Sequence, residues 1–164
     1  MAGKVNPIPQ GYHSVTPYLV VDDGRRAIEY YKQAFGATAV VQMAGPGGKI
    51  GHAELKIGDS MIMLSDEMPG SGNRSPKSLG GSPVTIFLYV ENVDSVFNDA
   101  VKAGAKADKP PQDMFWGDRF GALTDPFGHS WALATHIEDV APEEMKKRAQ
   151  AAMAQMAQGA AQGV

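Results

Sequence analysis

The chain has 164 residues, with 15 Lys and Arg against 18 Asp and Glu, so a net charge of −3 and no basic run argue against a nucleic-acid partner. It has no cysteine, which excludes disulfides, thiolate metal sites and a catalytic thiol. No apolar run approaches the ~20 residues that a membrane-spanning helix needs, and the Pro- and Gly-rich start "MAGKVNPIPQGYH" lacks the apolar stretch of a signal peptide, so a soluble cytoplasmic protein is expected.

Beyond this extension, residues 1–13, an apolar extended run begins at Val15 with "VTPYLVV". Asp22 and Asp23 then suit a helix N-cap, and helical spacing runs on to a stop at Gly36. Three strand-like segments follow, "ATAVVQMA", "KIGHAELKI" and "SMIMLS", and complete a first unit, 14–66. The stretch "DEMPGSGNRSPKSLGGSP" is rich in Ser, Gly and Pro and reads as a linker over 67–82, or as a lid over a site.

The same order then recurs. "VTIFLYV" from Val84 leads into a second helical segment, in which Val96, Phe97 and Ala100 take the places of Ala27, Ile28 and Tyr31. The strand-like "AKADKPPQ", "GDRFGALT" and "HSWALATH" follow, the last two joined by Asp-Pro-Phe-Gly, a tight-turn signal. This second unit spans 83–140. The remaining 141–164 open as a helix with acids early and bases later, then turn to a low-complexity end, "AQGAAQGV", expected to fray. An internal duplication of this kind implies an α+β fold of two tandem βαβββ modules plus a C-terminal helix.

Strand alternation separates the faces. Leu19 and Val21 fall on the aliphatic side of the first strand with Val15, as do Ile86, Leu88 and Val90 with Val84 in its duplicate. Thr16, Tyr18, Thr85, Phe87 and Tyr89 fall opposite. In "GHAELKI" the core takes Ala53, Leu55 and Ile57, leaving His52, Glu54 and Lys56 on the opposite side. Phe120, Ala122 and Thr124 share that side in the second unit, with Trp116 and Asp118 at its rim.

The paired units resemble the vicinal oxygen chelate superfamily of glyoxalases, bleomycin-resistance proteins and dioxygenases. "GHAELKIGDSMIMLSDE" and "FWGDRFGALTDPFGHSWALATHIEDV" are similar to its PhnB-like branch of bacterial proteins, over about Ser14 to Val140. The resemblance implies that the two modules form a curved mixed sheet around a concave cavity. It also implies four metal-ligand positions, falling on Thr16, Met63, Thr85 and Ala132; a one-residue slip would give Ile62 and Leu133 instead. Neither set suits a divalent ion, so no metal and no cofactor are expected.

What remains is a cavity lined by Thr16, Tyr18, Met61, Met63, Thr85, Phe87, Tyr89, Trp116 and Asp118, with His52 and Glu54 as convergent polar groups. Such a mixture suits a small, aromatic organic ligand. One reading is therefore a metal-independent binding protein that sequesters such a ligand. Another is a lyase, isomerase or dioxygenase relative with His52 and Glu54 as candidate catalytic residues, with or without a relocated metal. A third is a structural or regulatory dimer whose cavity is vestigial. A homodimer is expected, because sheet edges and an Ala/Met-rich helix need cover. His13 and His136 read as surface residues, His129 as serving its turn, and Arg119 as bracing a loop or reaching a partner.

Overall fold

The computed structural model describes residues 5–161. The first module comprises β1 (Tyr18–Val21), α1 (Gly24–Phe35), β2 (Thr38–Ala44), β3 (Ile50–Ile57) and β4 (Ser60–Asp66). The second comprises β5 (Thr85–Tyr89), α3 (Val93–Lys102), β6 (Lys106–Asp113), β7 (Asp118–Thr124) and β8 (Ser130–His136). A short α2 (Pro76–Leu79) sits in the linker, and α4 (Pro142–Ala161) follows the second module. Each module makes its own four-stranded mixed sheet, ordered β1-β4-β3-β2 and β5-β8-β7-β6. In each, the first strand runs parallel to the last, and the other pairs are antiparallel.

The duplication is visible in how the helices start. Asp23 accepts from the Arg26 amide at 3.0 Å, and Asn92 accepts from the Ser95 amide at the same distance. Gly36 ends α1 with φ at 64°, the left-handed stop that glycine adopts without cost. Pro110 and Pro111 lie in β6, an edge strand where a missing N–H can be tolerated.

In β1, and in β3 from Ala53 onward, the core side follows the alternation, whereas β8 buries four consecutive residues, Trp131 to Ala134. Leu19, Val21, Ala53, Leu55 and Ile57 are buried, as are Leu123 and Leu133. Val15 and Val84 differ from expectation: both lie ahead of their strands and are exposed, because the sheets begin only at Tyr18 and Thr85. Helices α1 and α3 pack against each other, so one hydrophobic cluster serves both modules.

Asp125, the first residue of the Asp-Pro-Phe-Gly turn, locks that junction. Its Oδ1 accepts from the Phe127 and His129 amides, each at 2.9 Å. Its Oδ2 accepts from the Tyr31 hydroxyl of α1 at 2.7 Å and from the Trp131 indole of β8 at 2.9 Å. The carboxylate is buried, and four donors replace the water it has lost. His129 does more than serve its turn: its Nε2 lies 3.0 Å from the Val20 carbonyl of β1, a second tie between modules.

The linker is fastened rather than loose. Glu67 accepts from the Ser75 amide and from the Ser75 and Ser78 hydroxyls, at 3.0, 2.7 and 2.6 Å. These bonds, Ser78's first, hold its carboxyl at about 2. Lys77 adds an ion pair to Asp22 at 2.7 Å. Helix α4 is anchored near its start, where Arg148 grips Glu138 through two 2.8 Å bonds and Glu144 through one of 3.0 Å. Farther on, Met153 and Met156 are exposed. The helix continues through Ala161, beyond the point where fraying was expected; 162–164 lie outside the described residues. Among the described residues no helix is long and apolar enough to cross a membrane.

Candidate functional site

Parallel pairing sets the inner face of each sheet. Tyr18 stands beside Met63, and Phe87 beside Ala132, so these pairs share a face, with Thr16 and Thr85 two residues earlier on the same parity. Ile62 and Leu133 point into the core, so the slipped register does not apply.

On the first module's face, four side chains form a chain of hydrogen bonds. The Tyr18 hydroxyl lies 3.4 Å from His52 Nδ1, and His52 Nε2 lies 3.2 Å from Glu54 Oε1. The other Glu54 oxygen accepts from the Tyr12 hydroxyl. Tyr12 and then His52 hold the Glu54 carboxyl below its usual range. Desolvation, and then Glu54, push the Tyr12 phenol up to about 12, so Tyr12 stays a donor. The sequence reading missed Tyr12, because residues before the first strand carry no periodicity. Here that segment folds back over the sheet, and Pro7–Pro9, Tyr12–Ser14, Thr16, Glu54 and Met63 line a cavity of about 470 Å³.

The second module's face is built around Asp118, which is only 4% exposed. Its Oδ2 accepts from the Tyr89 hydroxyl at 3.0 Å and from the Trp116 indole at 3.1 Å. Its Oδ1 lies 2.8 Å from His136 Nδ1, whose other ring nitrogen lies 3.0 Å from Asp139. Asp139 first, and Asp118 second, raise the His136 pKa. His136 is exposed, as expected of a surface residue, and also pairs with Asp118 across β7 and β8, a register that the sequence alone did not reveal.

Around this carboxylate the rings form a wall. Phe87 lies 5.0 Å from Tyr89 and 5.9 Å from Phe120, and Trp116 is 5.9 Å from Phe120, edge to face. Phe87 and Tyr89 are 48% and 61% exposed, so the wall is open to a guest. Gly117 lets the chain place Trp116 and Asp118 together: its φ is 96°, and a Cβ there would lie 2.1 Å from the Glu138 carbonyl oxygen. Arg119 faces the other way, pairing with Asp94 of α3 at 2.6 Å and Asp113 of β6 at 2.8 Å.

The expected site residues therefore fall into two groups. Thr16, Tyr18, His52, Glu54 and Met63 belong to the first face; Thr85, Phe87, Tyr89, Trp116 and Asp118 belong to the second. The groups share no hydrogen bond among the described residues. Met61 is buried and borders a small groove between the modules, with Ile86 and Trp131.

A sequence model described as the Glyoxalase/Bleomycin resistance protein/Dioxygenase superfamily matches residues 11–133, nearly the whole of both modules. The chain belongs to this superfamily. An uncharacterised protein of Mycobacterium bovis is 42% identical over 149 residues, covering 89% of this chain and 95% of that one. The crystal structure of TioX from Micromonospora sp. ML1 superposes with a TM-score of 0.60 at 26% identity, over 76% of this chain and 99% of TioX. A PhnB protein from Bacillus cereus has the same fold, with a TM-score of 0.59 at 18% identity over 75% of this chain and 99% of that one.

The metal associated with many vicinal oxygen chelate proteins does not fit the residues present here. Two threonine hydroxyls, a thioether and a methyl group stand at Thr16, Thr85, Met63 and Ala132, and none supplies an anionic or imidazole ligand. Among the described residues no group of three or more His, Asp or Glu side chains is placed to hold an ion elsewhere.

Proposed function

We propose that this chain is a metal-independent, glyoxalase/bleomycin-resistance-like protein of the cytoplasm that binds a small aromatic organic ligand on its concave faces and works as a homodimer. The observation that carries the reading is the open wall of Phe87, Tyr89, Trp116 and Phe120 over the buried Asp118. A planar guest gains ring stacking there, while Asp118 holds the Tyr89 hydroxyl and the Trp116 indole in fixed positions. Four ligand positions without a ligating side chain support the metal-independent part. The exposed Met153 and Met156 of α4 support self-association.

Screening aromatic compounds by tryptophan fluorescence, then repeating by calorimetry with Trp116→Ala, tests the site. Loss of this anchor should weaken binding by ~2 kcal/mol, and a folded variant with full affinity for every hit refutes it. One tightly held zinc, nickel or iron per chain in elemental analysis refutes metal independence, and a monomeric mass by light scattering refutes the dimer. A second reading, as a lyase or isomerase relative, draws on the Tyr18–His52–Glu54–Tyr12 chain, an arrangement able to accept and pass a proton. Turnover of any substrate that survives His52→Ala unchanged would remove it.

A further inference from the structure

The first module's cavity differs in chemistry from the aromatic wall. Apart from His13 and Glu54, its described lining is apolar or neutral, with Pro7, Ile8, Pro9 and Met63 as walls and Glu54 as the one carboxylate. Among the described residues no Lys or Arg borders it. A carboxylate offers about four lone-pair positions, of which Tyr12 and His52 occupy two. The rest are free to accept from a guest. Burying an organic anion beside this carboxylate would be repulsive, and a neutral guest would leave its charge uncompensated.

We propose that the first module's inner face and the N-terminal segment around Ile8 form a binding site for a small organic cation, its ammonium group on Glu54 and its apolar body against Ile8, Pro9 and Met63. The inference rests on the reading that the concave faces bind small molecules, and assigns to one of them a ligand class. The cavity of about 470 Å³ is of a size that takes a compound of this kind. Both protein bonds to Glu54 keep it ionised, so the site is prepared for a cation before the guest arrives. Tyr12 binds the N-terminal segment to the same carboxylate, so wall and charge are positioned by one hydrogen bond.

The test compares benzylamine, benzyl alcohol and benzoate by calorimetry, at a pH above the ordinary histidine range so that imidazolium charge does not intervene. Benzylamine, as the ammonium, should bind at least about tenfold more tightly than the alcohol, with benzoate weakest. Glu54→Gln should bring amine and alcohol to equal affinity, and Trp116→Ala should leave the preference intact. If Glu54→Gln fails to fold, Ile8→Lys, in an irregular segment, should weaken the amine about tenfold by placing a like charge in the cavity. Equal binding of the three probes, or an amine preference unchanged in Glu54→Gln or in Ile8→Lys, overturns the inference. Amine binding lost in Trp116→Ala alone overturns it too, yet leaves the proposed aromatic site standing. Amine binding lost in Glu54→Gln, with no aromatic hit sensitive to Trp116→Ala, supports the cation site and removes the other.

Discussion

Replacing Asp125 by alanine should damage this protein more than any single truncation on its inner faces. The substitution removes the acceptor for four donors: the Phe127 and His129 amides, the Tyr31 hydroxyl and the Trp131 indole. Tyr31 and Trp131 are buried, so neither donor can turn to bulk water. Two orphaned buried donors cost roughly 1–3 kcal/mol each, and two lost turn bonds roughly 1 kcal/mol each. Relief of the buried charge's desolvation offsets part of this. The net expectation is a loss of about 4 kcal/mol, and with ~2–4 °C per kcal/mol in a chain of this size, a Tm lower by roughly 8–16 °C. Asp125→Asn keeps one oxygen for the turn amides but turns an NH₂ group toward Trp131, a donor facing a donor, while the Tyr31 hydroxyl can rotate to accept. About 2 kcal/mol is expected there. Urea unfolding followed by far-ultraviolet circular dichroism measures both. An alanine variant within ~1 kcal/mol of the parent, or an asparagine variant as damaged as alanine, would refute the reasoning.

Three further outcomes are expected. Gly117→Ala should cost several kcal/mol, because its φ is positive and its Cβ would meet the Glu138 carbonyl oxygen; a melting temperature equal to that of the parent contradicts this. His136, raised by Asp139 and then Asp118, should titrate above 6.5 in an NMR experiment and move down in Asp139→Ala. Because the folded state favours its charged form, the stability it contributes is complete below ordinary histidine pKa values and fades as pH rises through the raised one; a midpoint at or below 6.5 would count against the assignment. Glu67, held at about 2, contributes stability present above ordinary glutamate pKa values and lost as pH falls toward that figure. Ser78→Ala should shift its midpoint upward and speed proteolysis of the linker, and an unmoved midpoint shows that the hydroxyl does not hold it.

The duplication was legible because each module repeats an N-cap, a helical face and a period-two strand, signals written in local sequence. Alternation alone assigned Leu55 to the core and Glu54 to the inner face. What it could not supply were contacts set by register and by segments without regular structure. Tyr12 lies 42 residues from Glu54 and sits in a Pro-rich stretch, so no period points to it. His136 meets Asp118 only because β7 and β8 pair as they do. The N–H of His129 obeys its turn, yet its ring reaches across to β1, a contact that depends on how the modules dock. The division of the expected cavity into two faces has the same origin: residue parity says which side a residue takes, and nothing about which other side chains it meets there.

That parity has an evolutionary consequence. In β3, every residue that shows chemistry to the inner face alternates with one committed to the core, His52 and Glu54 against Ala53 and Leu55. Substitutions at the outward set change the chemistry of the surface without disturbing the packing that specifies the chain path, while substitutions at the inward set are filtered by stability. Since the two faces share a core but, among the described residues, no side-chain hydrogen bonds, each can drift on its own. A duplication of this kind thus supplies two inner faces on one folding unit, and selection can revise the outward residues of either without rebuilding the other.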